Sequence, residues 1–299
     1  MSTAPDRVRL AAHAKINLFL RILARETSGY HQIETAFALL DLADDLEAAR
    51  TPSAVTIDVT GAEVGPPDQN LAVRAARAIL DATGNRFGVA LALTKRIPAR
   101  AGLGGGSSDA AAALHAVNAL AANAVPRQEL LHLAARLGAD VAFFASGAPL
   151  ALAWGRGERL FRLQPLPAAA ALVAVPPIAV ATPDAYRWWD ELNTEPAVRG
   201  PVVFDPDALG SWGSIGRLGG NDFELPVFGR HPPLRALYEK LAATKPYWVR
   251  LSGSGSAVAA VYRTERDRED AAMQVGEKGQ RLFRTSTRAV PAEGPAALS

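Results

Sequence analysis

The sequence predicts an α+β protein of two domains. Its 299 residues are enough for two domains at about 150 residues each. Hydrophobic residues make up 49% and charged residues 21%, a balance typical of globular proteins that bury a sizeable core. Strand-like and helix-like segments are interleaved, and a glycine- and proline-rich stretch over residues 145–165 separates two halves. We therefore expect one domain over residues 1–160, a second over residues 161–290 and a flexible tail over residues 291–299.

The first half opens with a strand over residues 14–22, where apolar and polar side chains alternate. One face carries Ile16, Leu18, Leu20 and Ile22, and the other carries Lys15, Asn17 and Phe19. Two interpretations remain open for the polar face. It is either the solvated face of an edge strand, or it presents a lysine and an amide to a phosphate.

The remaining elements of the first half follow from hydrophobic periodicity and turn residues. They are an apolar strand or helix over 33–42, a strand over 55–59, a helix capped by Asp68 and ending near residue 82, a strand over 89–94, a helix ending near residue 122, a helix over 129–137 and a strand over 150–154.

The second half alternates in the same way but holds a longer proline- and glycine-rich segment. Its predicted elements are strands over 171–175 and 178–181, a helix from Thr182, a loop over 194–218, a helix starting near 221–224, a helix over 234–243, strands over 248–251 and 257–262, a polar helix over 265–280 and a strand over 282–289.

Composition excludes several classes of function. The chain has no cysteine, which excludes disulfides, thiolate metal sites and a cysteine nucleophile. Its five histidines lack the spacing of a zinc site. A net charge of +2 gives no indication of a nucleic-acid partner. The longest apolar stretch, 168–181, is interrupted by two prolines, and no signal peptide is visible, so we expect a cytoplasmic protein with no membrane partner.

A glycine run before an alanine-rich helix is the most informative segment. It extends from Gly102 to Ser108, four residues after Pro98. The free amides and positive end of a helix N-terminus bind anions, and glycine lets the backbone approach closely. No lysine follows the run as in a P-loop, and the dinucleotide pattern fails at its third glycine. We therefore interpret it as a phosphate cradle that lacks its own cation, in which Ser107 or Ser108 caps the helix.

Two further features have both a structural and a functional interpretation. Asp140 precedes an apolar run and is either a helix cap or a partly buried base. A second serine-glycine turn over 252–256 lies between two apolar strands, where tight packing and ligand contact are equally good explanations.

Taken together, these motifs resemble those of the GHMP kinase superfamily of small-molecule kinases, over about residues 10–290. The motifs that carry the resemblance are Pro98 with 102–108, the turn 251–256, and the segments 14–18, 28–31 with Glu34 and Thr35, and 137–141. The resemblance implies an N-terminal domain like domain 2 of ribosomal protein S5 and a ferredoxin-like C-terminal domain. ATP and substrate would lie in the cleft between them.

The resemblance also implies roles for individual residues. Asp140 corresponds to a catalytic base that takes a proton from a tertiary hydroxyl, and Lys15 to a lysine that keeps this base ionised and stabilises the γ-phosphoryl group. The cofactors implied are ATP and Mg²⁺, with Ser108 as a candidate metal ligand. The residues implied to bind ATP are Asn70, Leu71, Lys95, Pro98, Gly102, Leu103, Gly104, Gly105, Gly106, Ser107 and Ser108.

The acceptor implied by the resemblance is a small alcohol that carries a cytidine diphosphate group, in the non-mevalonate isoprenoid pathway. Tyr30 and Tyr186 would sandwich the cytosine while His31 reads its edge. The full implied set is Asn17, Tyr30, His31, Asp140, Thr182, Tyr186, Gly253 and Ser254. The expected assembly is a monomer or weak homodimer.

Two departures and two alternatives accompany this interpretation. Arg100 stands where members of this family usually have a small residue, and Ala142 stands where they commonly have proline. One alternative is a GHMP kinase for another alcohol, such as homoserine or mevalonate. The other is a nucleotide-binding sensor without catalytic activity, against which the intact Lys15 and Asp140 argue.

Overall fold

A computed structural model describes residues 4–62, 65–193 and 206–298. The strands are β1 (Arg7–Arg25), β2 (His31–Thr51), β3 (Val55–Thr60), β4 (Gly88–Thr94), β5 (Leu150–Gly155), β6 (Arg159–Arg162), β7 (Ala170–Val175), β8 (Trp248–Leu251), β9 (Val258–Tyr262), β10 (Arg281–Ser286) and β11 (Ala296–Ala297). The helices are α1 (Leu71–Ala82), α2 (Gly105–Leu120), α3 (Arg127–Leu137), α4 (Ala139–Ser146), α5 (Thr182–Leu192), α6 (Pro206–Leu209), α7 (Trp212–Ile215), α8 (Glu224–Arg230), α9 (Pro232–Ala243) and α10 (Glu265–Val275).

The first sheet has seven strands and is organised around the long strand β2. Its path is β11-β1-β2-β4-β3, and β5 also pairs with β2 and carries β6. One end of β2 pairs with β5 over Ile33–Ala38 and the other with β4 over Asp45–Thr51. Helices α1 to α4 share one apolar core with this sheet, in which Leu46 and Leu91 meet Ala75 and Ala113.

The second sheet is antiparallel, with the strand order β10-β7-β9-β8. Because side chains alternate along a strand, β7 contributes to two different cores. Leu172 packs with helices α5, α8, α9 and α10, whereas Val173 packs with Ile16 and Leu40 of the first sheet. The indole nitrogen of Trp248 also donates a hydrogen bond to the Leu18 carbonyl oxygen, at 2.7 Å. These contacts join the two sheets through a shared core.

The solvated-edge interpretation of the first strand is wrong. Lys15 and Asn17 are 4% and 2% exposed, because β1 pairs with β2 along its length and the Phe37 ring and Gly104 lie against Lys15. The register of β1 against β2 shifts between His13 and Lys15 and again between Asn17 and Phe19. These irregularities mark bulges around the two polar residues, which is a common device for re-aiming side chains near a functional site.

Three local predictions also fail. Asn70, not Asp68, caps α1: its side chain accepts a hydrogen bond from the Ala72 amide, and Asp68 lies in the preceding 3₁₀ turn. Residues 178–181 form no strand because two prolines before them lack amide hydrogens. The predicted polar helix over 265–280 ends at Val275.

The loop predicted over 194–218 falls partly outside the described residues. Its described part, 206–218, contains the two short helices α6 and α7. Trp212 and Ile215 of α7 are buried in the core between the sheets, which fixes this segment.

The chain end is not a free tail up to residue 298. Ala296 and Ala297 form β11 and pair with β1 at Arg9 and Val8. The Leu298 amide donates to the Arg7 carbonyl oxygen at 2.9 Å. The last described residues therefore return to the first sheet. Strand β6 also extends two residues past the expected boundary at residue 160.

Among the described residues, none of the helices combines the length and apolar character needed to cross a membrane.

Candidate active site

A cleft of about 700 Å³ is lined by residues from both halves of the chain. Most of the predicted site residues line it: Lys15, Asn17, Asn70, Leu71, Lys95, Pro98, Gly102, Leu103, Gly104, Gly105, Gly106, Ser107, Asp140, Thr182, Tyr186, Gly253 and Ser254. Three predicted residues, Tyr30, His31 and Ser108, are not among its lining residues.

The glycine run forms a tight loop that opens directly into α2. Gly102 and Gly104 have φ values of 77° and 73°, in the left-handed region that favours glycine. The N-cap residue of α2 is Gly104, and no side-chain hydrogen bond caps the helix. The prediction that Ser107 or Ser108 caps α2 is therefore wrong. The first amide bonded within the helix is that of Ser108, to the Gly104 carbonyl oxygen. The preceding amides lack helical partners and line the cleft, which is the arrangement that binds anions.

The loop is fixed against the second serine-glycine turn. The Ser252 hydroxyl donates to the Gly102 carbonyl oxygen at 2.9 Å, and the Ala257 amide donates to Ala101 at 3.1 Å. A Cβ atom added at Gly102 would lie 1.9 Å from the Ser252 carbonyl oxygen. Since Gly253 and Ser254 also line the cleft, this turn serves both tight packing and the cleft wall.

Lys15 lies buried at the centre of the cleft, with its ammonium group 3.6 Å from an Asp140 carboxylate oxygen. It donates a hydrogen bond to the Asn17 amide oxygen at 2.6 Å, and Asn17 donates in turn to the Thr35 hydroxyl. The backbone amide of Lys15 donates to the Leu103 carbonyl oxygen, so the strand and the glycine loop hold each other in register. Burial lowers the pKa of Lys15, and the Asp140 carboxylate opposes this shift.

Asp140 occupies the first turn of α4, two residues after the capping Gly138. The positive end of the helix favours a carboxylate at this position. Its side chain is 34% exposed and faces Lys15, and no side-chain hydrogen bond caps the helix. Asp140 is therefore not a helix cap but a partly buried carboxylate beside a lysine.

Lys95 lies beneath the glycine loop in a buried cluster that the sequence analysis missed. Its ammonium group donates to the carboxylates of Asp44 and Asp109, the latter at 2.5 Å. The second oxygen of Asp109, Oδ1, has no hydrogen-bond partner among the described residues. Burial raises the pKa of Asp109 to about 7, with Lys95 opposing and Asp44 reinforcing the shift. The ammonium group of Lys95, predicted to contact adenosine, is thus engaged by two carboxylates.

The three predicted cytosine-binding residues occupy different environments. His31 is buried and stacks on Tyr186, with ring centroids 4.5 Å apart and planes inclined by 16°. Its Nε2 atom lies 2.7 Å from Asp190 Oδ1. Burial, reinforced by the Asp140 charge, raises the pKa of Tyr186 to about 12. Tyr30 is 60% exposed and carries the Arg156 guanidinium over its ring.

No group of three or more metal-ligating side chains occurs within the described ranges. Ser108, the candidate ligand for Mg²⁺, is 3% exposed and lies outside the cleft lining. The orphaned Asp109 oxygen is the one unpartnered buried carboxylate oxygen in the described part of the chain, and Asp109 does line the cleft. The site therefore offers at most a sparse set of protein ligands to a cation.

Two family models and several known proteins match this chain. Residues 70–148 match the N-terminal domain of GHMP kinases and residues 207–281 match their C-terminal domain. A 4-diphosphocytidyl-2-C-methyl-D-erythritol kinase of Solibacter usitatus is 42% identical over 88% of this chain and 83% of its own length. One from a Geobacter species is 35% identical over 95% and 99% of the two chains.

Solved structures show the same relationship. A crystal structure of 4-(cytidine 5'-diphospho)-2C-methyl-D-erythritol kinase, 36% identical, superposes with a TM-score of 0.78 over 93% of this chain and 98% of that one. A homoserine kinase from Cytophaga hutchinsonii reaches a TM-score of 0.69 over 100% and 99% of the chains at 15% identity, which shows a shared fold.

Proposed function

The chain belongs to the GHMP kinase family and, within it, to the 4-diphosphocytidyl-2-C-methyl-D-erythritol kinases, and from this premise we propose that it phosphorylates the 2-hydroxyl group of 4-diphosphocytidyl-2-C-methyl-D-erythritol with ATP. It is thus a small-molecule kinase, and the proposal concerns its acceptor and the residues that act on it. The reaction would serve the non-mevalonate isoprenoid pathway.

The observation that carries the proposal is the Lys15–Asp140 pair in the cleft, beside the free amides at the start of α2. In the proposed reaction the 2-hydroxyl oxygen bonds to the γ-phosphorus while the bond to the leaving ADP oxygen breaks, and Asp140 takes the hydroxyl proton. Lys15 pairs with the Asp140 carboxylate and faces the charge that spreads over the transferred group. ATP would arrive with Mg²⁺ on its own phosphate oxygens, which neutralises part of their charge.

The first experiment measures ADP release from MgATP with 4-diphosphocytidyl-2-C-methyl-D-erythritol, in parallel with homoserine, mevalonate and galactose. Turnover with the cytidine substrate alone is the expected result. Turnover with another alcohol would replace the acceptor while keeping the phosphate cradle and the base. ATP binding without turnover of any of them would support a non-catalytic sensor instead.

The second experiment assigns the roles of the two central residues. We expect Asp140→Asn and Lys15→Ala each to lower kcat by at least ~100-fold, the scale of one acid-base group. Asp68→Asn and Lys240→Ala, which change exposed residues outside the cleft, are the matched controls. Near-wild-type turnover in either cleft variant, with far-UV circular dichroism unchanged, would refute the assigned mechanism.

A further inference from the structure

Arg156 lies on the turn between β5 and β6 and lines the cleft, although neither the sequence motifs nor the proposed reaction uses it. Its neighbours Gly155 and Gly157 have φ values of 76° and 103°. A Cβ atom at Gly157 would lie 3.2 Å from the Cβ atom of Ala139, the residue before Asp140. The turn therefore packs against the start of α4, next to the proposed base.

The guanidinium group of Arg156 is held in a defined position. It lies over the Tyr30 ring, 4.1 Å from the ring centroid. Nη2 donates to the Glu26 carboxylate at 2.5 Å, and the Arg156 backbone amide donates to Glu158 at 2.7 Å. Among the described residues, Nη1 donates to none. One edge of a preorganised, planar cation is therefore available beside the cleft.

The cations along the cleft occupy three positions. Lys95 and Arg100 belong to the glycine-loop end, where ATP phosphates are proposed to bind, and Lys15 faces Asp140 at the centre. Arg156 lies beyond Asp140, beside Tyr30, whose neighbour His31 stacks on Tyr186. Among the cations that line the cleft in the described residues, it is the one that contacts Tyr30, which is implied to bind the acceptor.

We propose that Arg156 is a specificity-determining residue that binds the diphosphate group of the acceptor. A guanidinium group forms paired, charge-assisted hydrogen bonds with phosphate oxygens, and the contacts of Arg156 with the Tyr30 ring and Glu26 fix its position. The inference rests on the proposed function, since it assumes that the acceptor carries a nucleoside diphosphate. It predicts that this cleft distinguishes a cytidine diphosphate from a cytidine.

Calorimetric titration with cytidine 5'-diphosphate and with cytidine tests this without turnover. A saturating non-hydrolysable ATP analogue keeps both probes out of the ATP site. The wild type should bind the diphosphate at least ~10-fold more tightly than the nucleoside, the range of a charge-assisted pair. In Arg156→Ala this ratio should fall to below about 3-fold, and Arg156→Lys should lie between, because lysine keeps the charge but not the planar fork.

Arg159→Ala is the matched control, because Arg159 lies on the same hairpin, is 69% exposed on its side chain and does not line the cleft. It should leave the ratio unchanged. In turnover, Arg156→Ala should raise KM for the acceptor and leave KM for ATP within about 2-fold.

Two outcomes separate failure of this inference from failure of the proposed function. An unchanged ratio in Arg156→Ala would overturn the role of Arg156 even if the enzyme phosphorylates the cytidine substrate. A ratio lost in Arg156→Ala, with no turnover of that substrate by the wild type, would support the anion site and refute the proposed acceptor.

Discussion

At Lys15, burial and a neighbouring carboxylate act on the same ammonium group in opposite directions. Burial lowers its pKa and the Asp140 charge raises it, with burial the larger effect. The hydrogen bond to Asn17 fixes the ammonium position but does not add a compensating charge. The group that the proposed mechanism needs in its charged form is therefore more easily deprotonated than an ordinary lysine.

This gives an alkaline limit to activity. Because the charged form of Lys15 is required, kcat should fall as pH rises through a value below the pKa of an ordinary lysine. Tyr186, whose pKa is raised to about 12, cannot cause this fall, so Tyr186→Phe should leave its position unchanged. A kcat profile with circular dichroism at each pH checks the prediction. A shift of the alkaline limb of this profile in Tyr186→Phe would contradict the prediction.

At Asp109, burial and a neighbouring ammonium group also act in opposite directions, and here the result affects the stability of the folded protein. Its pKa in the folded protein is raised to about 7 from an ordinary value of 3.8, so the folded state binds more protons than the unfolded state between these values. The group therefore costs no stability below about pH 4 and costs progressively more as pH rises to 7. We expect the free energy of unfolding of Asp109→Asn, measured in urea at pH 8, to exceed that of the wild type by about 1 to 2 kcal/mol. The difference should vanish near pH 4.

The control for Asp109→Asn is Asp68→Asn, since Asp68 is 82% exposed on its side chain. It should change the unfolding free energy little at either pH. A lower stability of Asp109→Asn at pH 8 would mean that pairing with Lys95 outweighs the cost of burying the second carboxylate.

At the level of the elements, two glycines of the run that opens α2 have separable purposes. Gly102 is required by the fold, since its Cβ position is occupied by the Ser252 carbonyl. Gly106 lies in the first turn of α2 and lines the cleft, and apart from its chain neighbours and the backbone of α2 no described atom lies within 4 Å of a Cβ added there. The space above Gly106 is thus open in the fold and belongs to the cleft.

Gly106→Ala should therefore improve folding and impair nucleotide binding. Alanine is a better helix former than glycine by about 0.5–1 kcal/mol, so thermal stability should rise slightly. If phosphates occupy the space above residue 106, the added methyl group should raise KM for ATP by roughly 10-fold, the lower range of steric overpacking. Gly102→Ala is the contrast, with reduced stability. An unchanged KM for ATP in Gly106→Ala would place the phosphates elsewhere.

The elements also show what a sequence pattern can and cannot predict. Period and turn residues located most strands and helices, because these signals are local. They misassigned two helix caps. Asn70 caps α1 in place of the predicted Asp68, and Gly104, in a left-handed conformation, is the N-cap of α2. Tyr30 and His31, which are adjacent in sequence, also separate in the fold: His31 begins β2 and is buried, while Tyr30 stays exposed.

At the level of the whole molecule, the site consists of residues that are far apart in sequence. Lys15 and Asp140 meet across the cleft, and Lys95 finds two carboxylates, Asp44 and Asp109, from different elements. Local patterns contain no information on such pairings, so Lys15 and Asp140 were brought together by the family resemblance alone. Asp44, Asp109 and Arg156 had no motif to mark their partners and became visible only in the folded chain.

The return of the chain end to β1 is also a long-range feature, and it should contribute to stability without serving the reaction. Removing residues 291–299 deletes two strand pairings with Val8 and Arg9 and the contacts of Glu293 with Arg288 and His13. Lys15 lies further along β1, where β2 holds the strand. We expect a melting temperature lower by a few degrees, at roughly 2–4 °C per kcal/mol, with kcat unchanged. Glu293→Gln, which removes the charge of Glu293 and keeps the strand pairing, should show a smaller shift. A lower kcat in the truncated variant, measured at a temperature where it is fully folded, would instead show that the chain end is coupled to the cleft through β1.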